Sequence, residues 1–113
     1  MGASILAVIT NDGWYDNTPG PEQHYQIAVA RAIESRRSVA RCANTGISGF
    51  ILPNGENLEN AATQKSIGIS AILPLNNEKT FYTIYGDWLP VICSVISAIA
   101  FILSKFRKIS LKK

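Results

Sequence analysis

The sequence predicts an α/β domain followed by one membrane-spanning helix, and three stretches carry that reading. Ile5 to Ile9 is a continuous apolar run bounded by Gly2 and by Asn11-Asp12-Gly13, the pattern of a strand buried on both faces in the centre of an α/β sheet. Gly20 to Ser48 opens with a helix-start signal and passes without a long loop into a second apolar run and a turn. Trp88 to Ser104 contains no charged residue.

The elements follow in order. Asp16 to Gly20 has loop composition. Pro21 suits the first helical position, where its missing N–H costs nothing, and Glu22 places negative charge at the positive end of the helix dipole. Tyr25, Ala28, Val29, Ala32 and Ile33 recur three and four residues apart, so one helix side is expected to be buried. Arg31, Glu34 and Arg37 fall at spacings of three on another face, where opposite charges pair weakly. Val39 to Ala43 and Ile47 to Leu52 read as strands around an Asn44-Thr45-Gly46 turn, and Pro53-Asn54-Gly55 supplies hairpin chemistry. Asn57 to Gln64 has no clear pattern. Ile67, Ile69, Ala71 and Leu73 alternate with small polar residues as in a half-buried strand, and Thr80 to Tyr85 is weakly strand-like.

The apolar run Trp88 to Ser104 covers roughly 26 Å as a helix, slightly short of a ~30 Å hydrocarbon core. Tyr82, Tyr85 and Trp88 at one end have the character of interface anchors, and Lys105, Arg107 and Lys108 at the other reach toward headgroups. The organisation expected is a domain over 1–85, a transmembrane helix over 86–105 and a basic tail over 106–113. The positive end predicts a cytoplasmic tail, with the residues before Trp88 outside the inner membrane.

Composition excludes some functions. The chain of 113 residues carries a net charge of +3, but five of its eleven Lys and Arg lie in the last nine residues. The remainder is mildly acidic, without the basic face that nucleic-acid binding needs. Cys42 and Cys93 lie in no Cys-x-x-Cys or Cys/His cluster, so they form neither a metal site nor a disulfide framework.

The run Gly20-Pro21-x-Gln23-His24, Arg31-Ala32-x-Glu34, Arg37, Arg41-x-x-Asn44-Thr45-Gly46-x-Ser48 resembles the apolipoprotein N-acyltransferase family, the membrane branch of the nitrilase, or carbon-nitrogen hydrolase, superfamily. Gly2-Ala3-x-x-Leu6-x-x-Ile9-Thr10-Asn11-Asp12-x-Trp14 continues the likeness to the start, with Tyr15 where the family usually has an aromatic. The resemblance implies the C-terminal part of a nitrilase-like α-β-β-α sandwich followed by one transmembrane helix. It also implies a segment of a longer protein, with Met1 an internal codon, a misassigned start or the start of a split gene.

The activity implied is transfer of an acyl chain from phospholipid to a cysteine, as a thioester, and then to the amino group of a lipoprotein's diacylglyceryl-cysteine. Covalent catalysis of this kind divides one difficult transfer into two easier ones. By resemblance it takes a Cys nucleophile, a Glu base and an oxyanion-stabilising Lys, all preceding the first strand here, so no catalytic residue and no cofactor is expected in this chain. The partners implied are the phospholipid donor, the apolipoprotein and the upstream part of the enzyme.

Cys42 stands where the family carries a small residue and is expected to pack in its strand, and Cys93 behaves as a small hydrophobe. A His24–Cys42 dyad has no third member in view, so His24 reads as a hydrogen-bonded helix-start residue. Glu22 and Glu34 read as helix charges, Lys65 and Lys79 as solvated. The wall of a site is expected instead from Asn11, Asp12 and Trp14 after the first strand, where α/β sheets place ligand crevices, joined by Asn44 and Thr45; each also fits a turn or core role. A membrane-anchored nitrilase-like amidase and a non-catalytic tail-anchored binding module remain as alternatives.

Overall fold

The computed structural model describes residues 2–15, 18–61 and 66–110, with side chains to 105. Strand β1 (Ile5–Thr10) leads through a short 3-10 turn at Gly13–Tyr15 to helix α1 (Gly20–Ser35), then to β2 (Ser38–Ala43), β3 (Ser48–Ile51) and β4 (Asn57–Ala61). These make one mixed sheet in the order β1-β2-β3-β4, with β1 and β2 parallel and the later pairs antiparallel. The parallel pair requires a crossover, which α1 supplies by packing across one face of the sheet.

On that face Tyr25, Ala28 and Ala32 of α1 meet Val39 and Ile51, with Leu6, Val8, Val29 and Ile47 at the margin. Ile33, expected in this stripe, is half exposed at its edge. The Tyr25 hydroxyl lies 2.9 Å from Asn57 Oδ1 and 2.7 Å from Asn60 Oδ1, tying α1 to β4. Helix α1 ends at Arg36 in the left-handed conformation, where the N–H groups of Arg36 and Arg37 return to Ile33 and Ala32. Arg31 pairs with Glu34 at 2.6 Å as expected. Arg37 does not extend that pairing: beyond the turn it is buried, donating to the carbonyls of Ala3 and Ser35.

Three expectations are corrected. Strand β1 lies at an edge of the sheet, with Leu6, Val8 and Thr10 half-buried against α1 while Ile5, Ala7 and Ile9 face away, Ile9 being 88% exposed. A two-faced apolar run requires apolar cover but does not say which segment provides it. Residues 66–80 form no strand; Ile69, Ala71 and Leu73 are half-buried between exposed neighbours without joining a ladder. Finally, Thr80 to Tyr85 is helical: Thr80 caps helix α2 (Phe81–Tyr85) by accepting the Thr83 N–H at 3.1 Å, a side-chain cap that overrides the β preference of Phe, Tyr and Ile.

Helix α3 (Trp88–Ser110) is longer than its uncharged run, so the tail expected from 106 begins as helix. Its 23 residues span ~35 Å, sufficient for a ~30 Å hydrocarbon core. No residue of the apolar window Trp88–Lys105 is buried, so the described residues provide no cover for its apolar surface. Lys65 and the end of the unpatterned stretch at Gln64 lie outside the described residues, as do Asp16 and Asn17 of the first loop.

Candidate functional site

The C-terminal ends of the parallel strands β1 and β2 carry two turns, Asn11 to Tyr15 and Asn44 to Gly46, joined where the Asn44 N–H donates to the Thr10 carbonyl at 3.3 Å. Each Asn turns its side chain back onto local backbone: Asn11 Oδ1 accepts the N–H of Gly13, two residues on, at 3.1 Å, and Asn44 Oδ1 accepts that of its neighbour Thr45 at 2.8 Å. Side-chain oxygens that capture nearby backbone N–H groups stop the strands and fix the chain reversal.

Asp12 occupies the centre, and its carboxylate is sealed from solvent. Oδ1 accepts from His24 Nδ1 at 2.8 Å and from Thr10 Oγ1 at 3.1 Å, while Oδ2 accepts from Arg41 Nη2 at 2.8 Å. Arg41 is itself buried, donates from Nε to the Ile47 carbonyl at 3.1 Å and lies over the Tyr25 ring at 5.9 Å. A buried ion pair is tolerated only when its remaining hydrogen-bonding groups find partners, and no buried side-chain polar atom among the described residues lacks one. Burial by itself would push the Asp12 carboxyl up, but the His24 and Thr10 hydrogen bonds and the Arg41 charge outweigh it and hold the group below its ordinary value.

The five residues expected to form a wall therefore take different positions. Asn11, Asn44 and Thr45 come together at the rim, where the position a Cβ would take on Gly13 lies 3.1 Å from Asn11 Oδ1 and 3.5 Å from Thr45 Oγ1. Trp14 projects outward, 87% exposed. Asp12 faces inward, its carboxylate sealed behind the two turns. Sequence reasoning missed the bracket of His24 and Arg41 around it. The available signal was Arg41 itself, a cation within an otherwise apolar strand, which requires a buried anion.

Cys42 is exposed on the other face of the sheet and does not pack as expected. Arg41 meets Asp12 on the helix side, so strand alternation turns Cys42 away from His24, and the two form no nucleophile–base pair. Instead Cys42 borders a cleft of about 400 Å³ with Ala7, Ile9, Ala40, Phe50 and Ile67. That cleft is lined mainly by apolar side chains and lies on the sheet face away from α1, which residues 66–76 cover in part: Ile67 and Ile69 line the cleft, and Ser38 is buried with its hydroxyl donating to the Pro74 carbonyl at 2.7 Å.

The carbon-nitrogen hydrolase family model matches residues 1–77. The apolipoprotein N-acyltransferase of Chlorobaculum tepidum is 38% identical over 107 residues, covering 95% of this chain and 20% of its own length. That of Bdellovibrio bacteriovorus is 40% identical over 89 residues, covering 77% and 16%, and that of Thermotoga maritima 29% identical over 106, covering 94% and 21%. The chain thus spans about a fifth of the length of the curated relatives it matches. The Chlorobaculum match leaves only a few residues of this chain uncovered, so it continues beyond residue 77 through α2 and most of α3.

Proposed function

Because the chain belongs to the carbon-nitrogen hydrolase family, and within it to the apolipoprotein N-acyltransferase family, we propose that it is the C-terminal segment of such an acyltransferase, supplying one sheet of the hydrolase sandwich and the last membrane helix. The reaction served is the passage of an acyl chain from phospholipid, through a cysteine thioester, to the amino group of a lipoprotein's diacylglyceryl-cysteine. The nucleophilic Cys, the Glu base and the oxyanion Lys come from the segment before β1, so this chain alone transfers no acyl group.

The observation that carries the proposal is the span of the Chlorobaculum match. The hydrolase model stops at residue 77, whereas the likeness to the acyltransferase runs on into the apolar helix. An amidase with an unrelated anchor would share only the first part. The sheet face away from α1, with Ile5, Ala7, Ile9 and Cys42 exposed and Ala40 and Phe50 half-buried, fits the same reading as the seat of the sandwich's second sheet. Asn11, Asn44, Thr45 and Trp14 contribute to the crevice wall, and the tail lies in the cytoplasm with the sheet on the far side of the inner membrane.

A chimera tests this. The matching segment of the Chlorobaculum enzyme is replaced by this chain and the product made in a bacterium depleted of its own acyltransferase. The expected result is a lipoprotein N-terminal peptide heavier by one acyl chain, and no such gain when this chain is produced alone. A chimera that accumulates in the membrane at the level of the parent enzyme but leaves lipoproteins diacylated would refute the assignment.

A further inference from the structure

Helix α2 presents two unlike faces. Toward α1, the Tyr82 hydroxyl lies 3.2 Å from Arg31 Nη1 and donates to Asp87 Oδ1 at 2.8 Å, while Thr80 Oγ1 donates to the Glu34 carbonyl at 2.6 Å. The opposite face is apolar and bare: Phe81, Ile84, Tyr85 and Trp88 are 58%, 57%, 63% and 41% exposed. Phe81, Ile84 and Tyr85 fall at i, i+3 and i+4, one stripe at helical spacing, and Trp88, at the start of α3, joins them through its contact with Phe81. Their rings already touch, Phe81 to Tyr85 at 4.4 Å between centroids and Phe81 edge-on to Trp88 at 5.5 Å.

The polar side fixes the apolar one. A roll of α2 that buried Phe81 and Ile84 against the domain would break the Tyr82–Arg31 and Thr80–Glu34 hydrogen bonds. Gly86, at φ +62°, breaks the helix between α2 and α3 and lets them take different directions. Because Trp88 begins α3, the bare stripe is continuous with the wholly exposed apolar surface of Trp88–Lys105. Whatever medium surrounds the start of α3 therefore also meets α2, and an aromatic stripe at the mouth of a spanning helix matches the headgroup boundary of a bilayer.

We propose that α2 is an in-plane membrane foot: Phe81, Ile84 and Tyr85, continued by Trp88, dock on the lipid surface, and the Tyr82–Arg31 and Thr80–Glu34 contacts transmit that footing to α1 and set how the sheet stands over the bilayer. This rests on the reading of α3 as membrane-spanning. It departs from the sequence expectation in one respect, since Tyr82 is a strut between protein elements and Phe81 and Ile84 take the place in lipid.

The test places single tryptophans in the full chain, in a Trp14→Phe, Trp88→Phe background, reconstituted in vesicles of phosphatidylethanolamine and phosphatidylglycerol with acyl chains brominated near the headgroup or deeper. Ile84→Trp, and independently Phe81→Trp, are expected to lose most of their fluorescence to the shallow bromines. Ile96→Trp in α3 is expected to be quenched by the deep ones, and Leu58→Trp on β4 by neither. If positions 81 and 84 behave like position 58 while 96 is quenched, the foot is disproved and the spanning helix stands. If position 96 also escapes quenching, the spanning reading fails and the foot with it.

Discussion

Gly46 passes so close to Asp12 that a Cβ at position 46 would lie 2.0 Å from Asp12 Oδ2. The Asn44 to Gly46 turn closes over the carboxylate, and no side chain fits between them. Gly46→Ala must therefore push the two turns apart or draw Asp12 from Arg41. Removing one partner of a buried ion pair costs about 3–5 kcal/mol, and displacing Asp12 loses part of that, so a lower unfolding midpoint is expected by circular dichroism in detergent. Gly68→Ala, where an added Cβ meets nothing within 4 Å, is expected to leave it unchanged.

Acid should loosen the same cluster. Asp12 is held below its ordinary value of 3.8 in the folded chain, so its stabilising contribution is complete above that value and is lost as pH falls through it toward the folded value. Asp12→Asn removes the charge at every pH. It is expected to lower stability near neutrality and to flatten the decline below about pH 4, measured as unfolding midpoint against pH. An equally steep acid decline in Asp12→Asn would assign that decline to other carboxylates.

The Tyr25 hydroxyl has one proton for two nearby oxygens, on Asn57 and Asn60; turning one Asn amide lets its Nδ2 donate and completes the set. Tyr25→Phe keeps the ring over Arg41 but detaches β4 from α1. Both Asn residues are exposed enough to find water, so the loss expected is about 1 kcal/mol of unfolding free energy, with faster amide exchange confined to β4.

The α1 stripe and the hairpin were legible because local pattern and turn chemistry settle them: the spacing of Tyr25, Ala28 and Ala32 admits one helix face, and Pro53-Asn54-Gly55 one kind of reversal. What escaped depends on distant partners. Nothing local to Thr80 to Tyr85 reveals that Thr80 will cap a helix and grip the end of α1. The alternation of Ile67 to Leu73 records two environments, which a chain crossing a sheet meets as readily as one joining it. At the site, Asn11 and Asn44 were readable as turn formers, whereas the Asp12–His24–Arg41 bracket unites residues from three elements and exists only once α1 has crossed between the strands.

Trp14 and Asn44 are both exposed, and among the described residues the side chain of Asn44 bonds only its neighbour Thr45. Trp14 is almost wholly exposed, so truncating it removes little packing. In the chimera, Trp14→Ala and Asn44→Ala are expected to lower lipoprotein N-acylation several-fold while leaving membrane levels unchanged. Acylation at the parental rate in both would make these residues structural only.

Cys42 reports on the open part of the sheet face away from α1. It is exposed there and pairs in register with Ile9 across the parallel strands, so anything seated on Ala7, Ile9 and Phe50 must also cover its thiol. A water-soluble maleimide should label Cys42 readily when the full chain is held alone in lipid vesicles. Cys93 should resist, since hydrocarbon excludes both the reagent and the thiolate it requires. In the chimera the proposed second sheet occupies the face, and labelling of Cys42 is expected to slow by at least about tenfold, the effect of an opening step costing ~1.4 kcal/mol or more. Equal rates in the two settings would show that the rest of the enzyme does not rest on this sheet, and the exposed apolar face would then need another occupant.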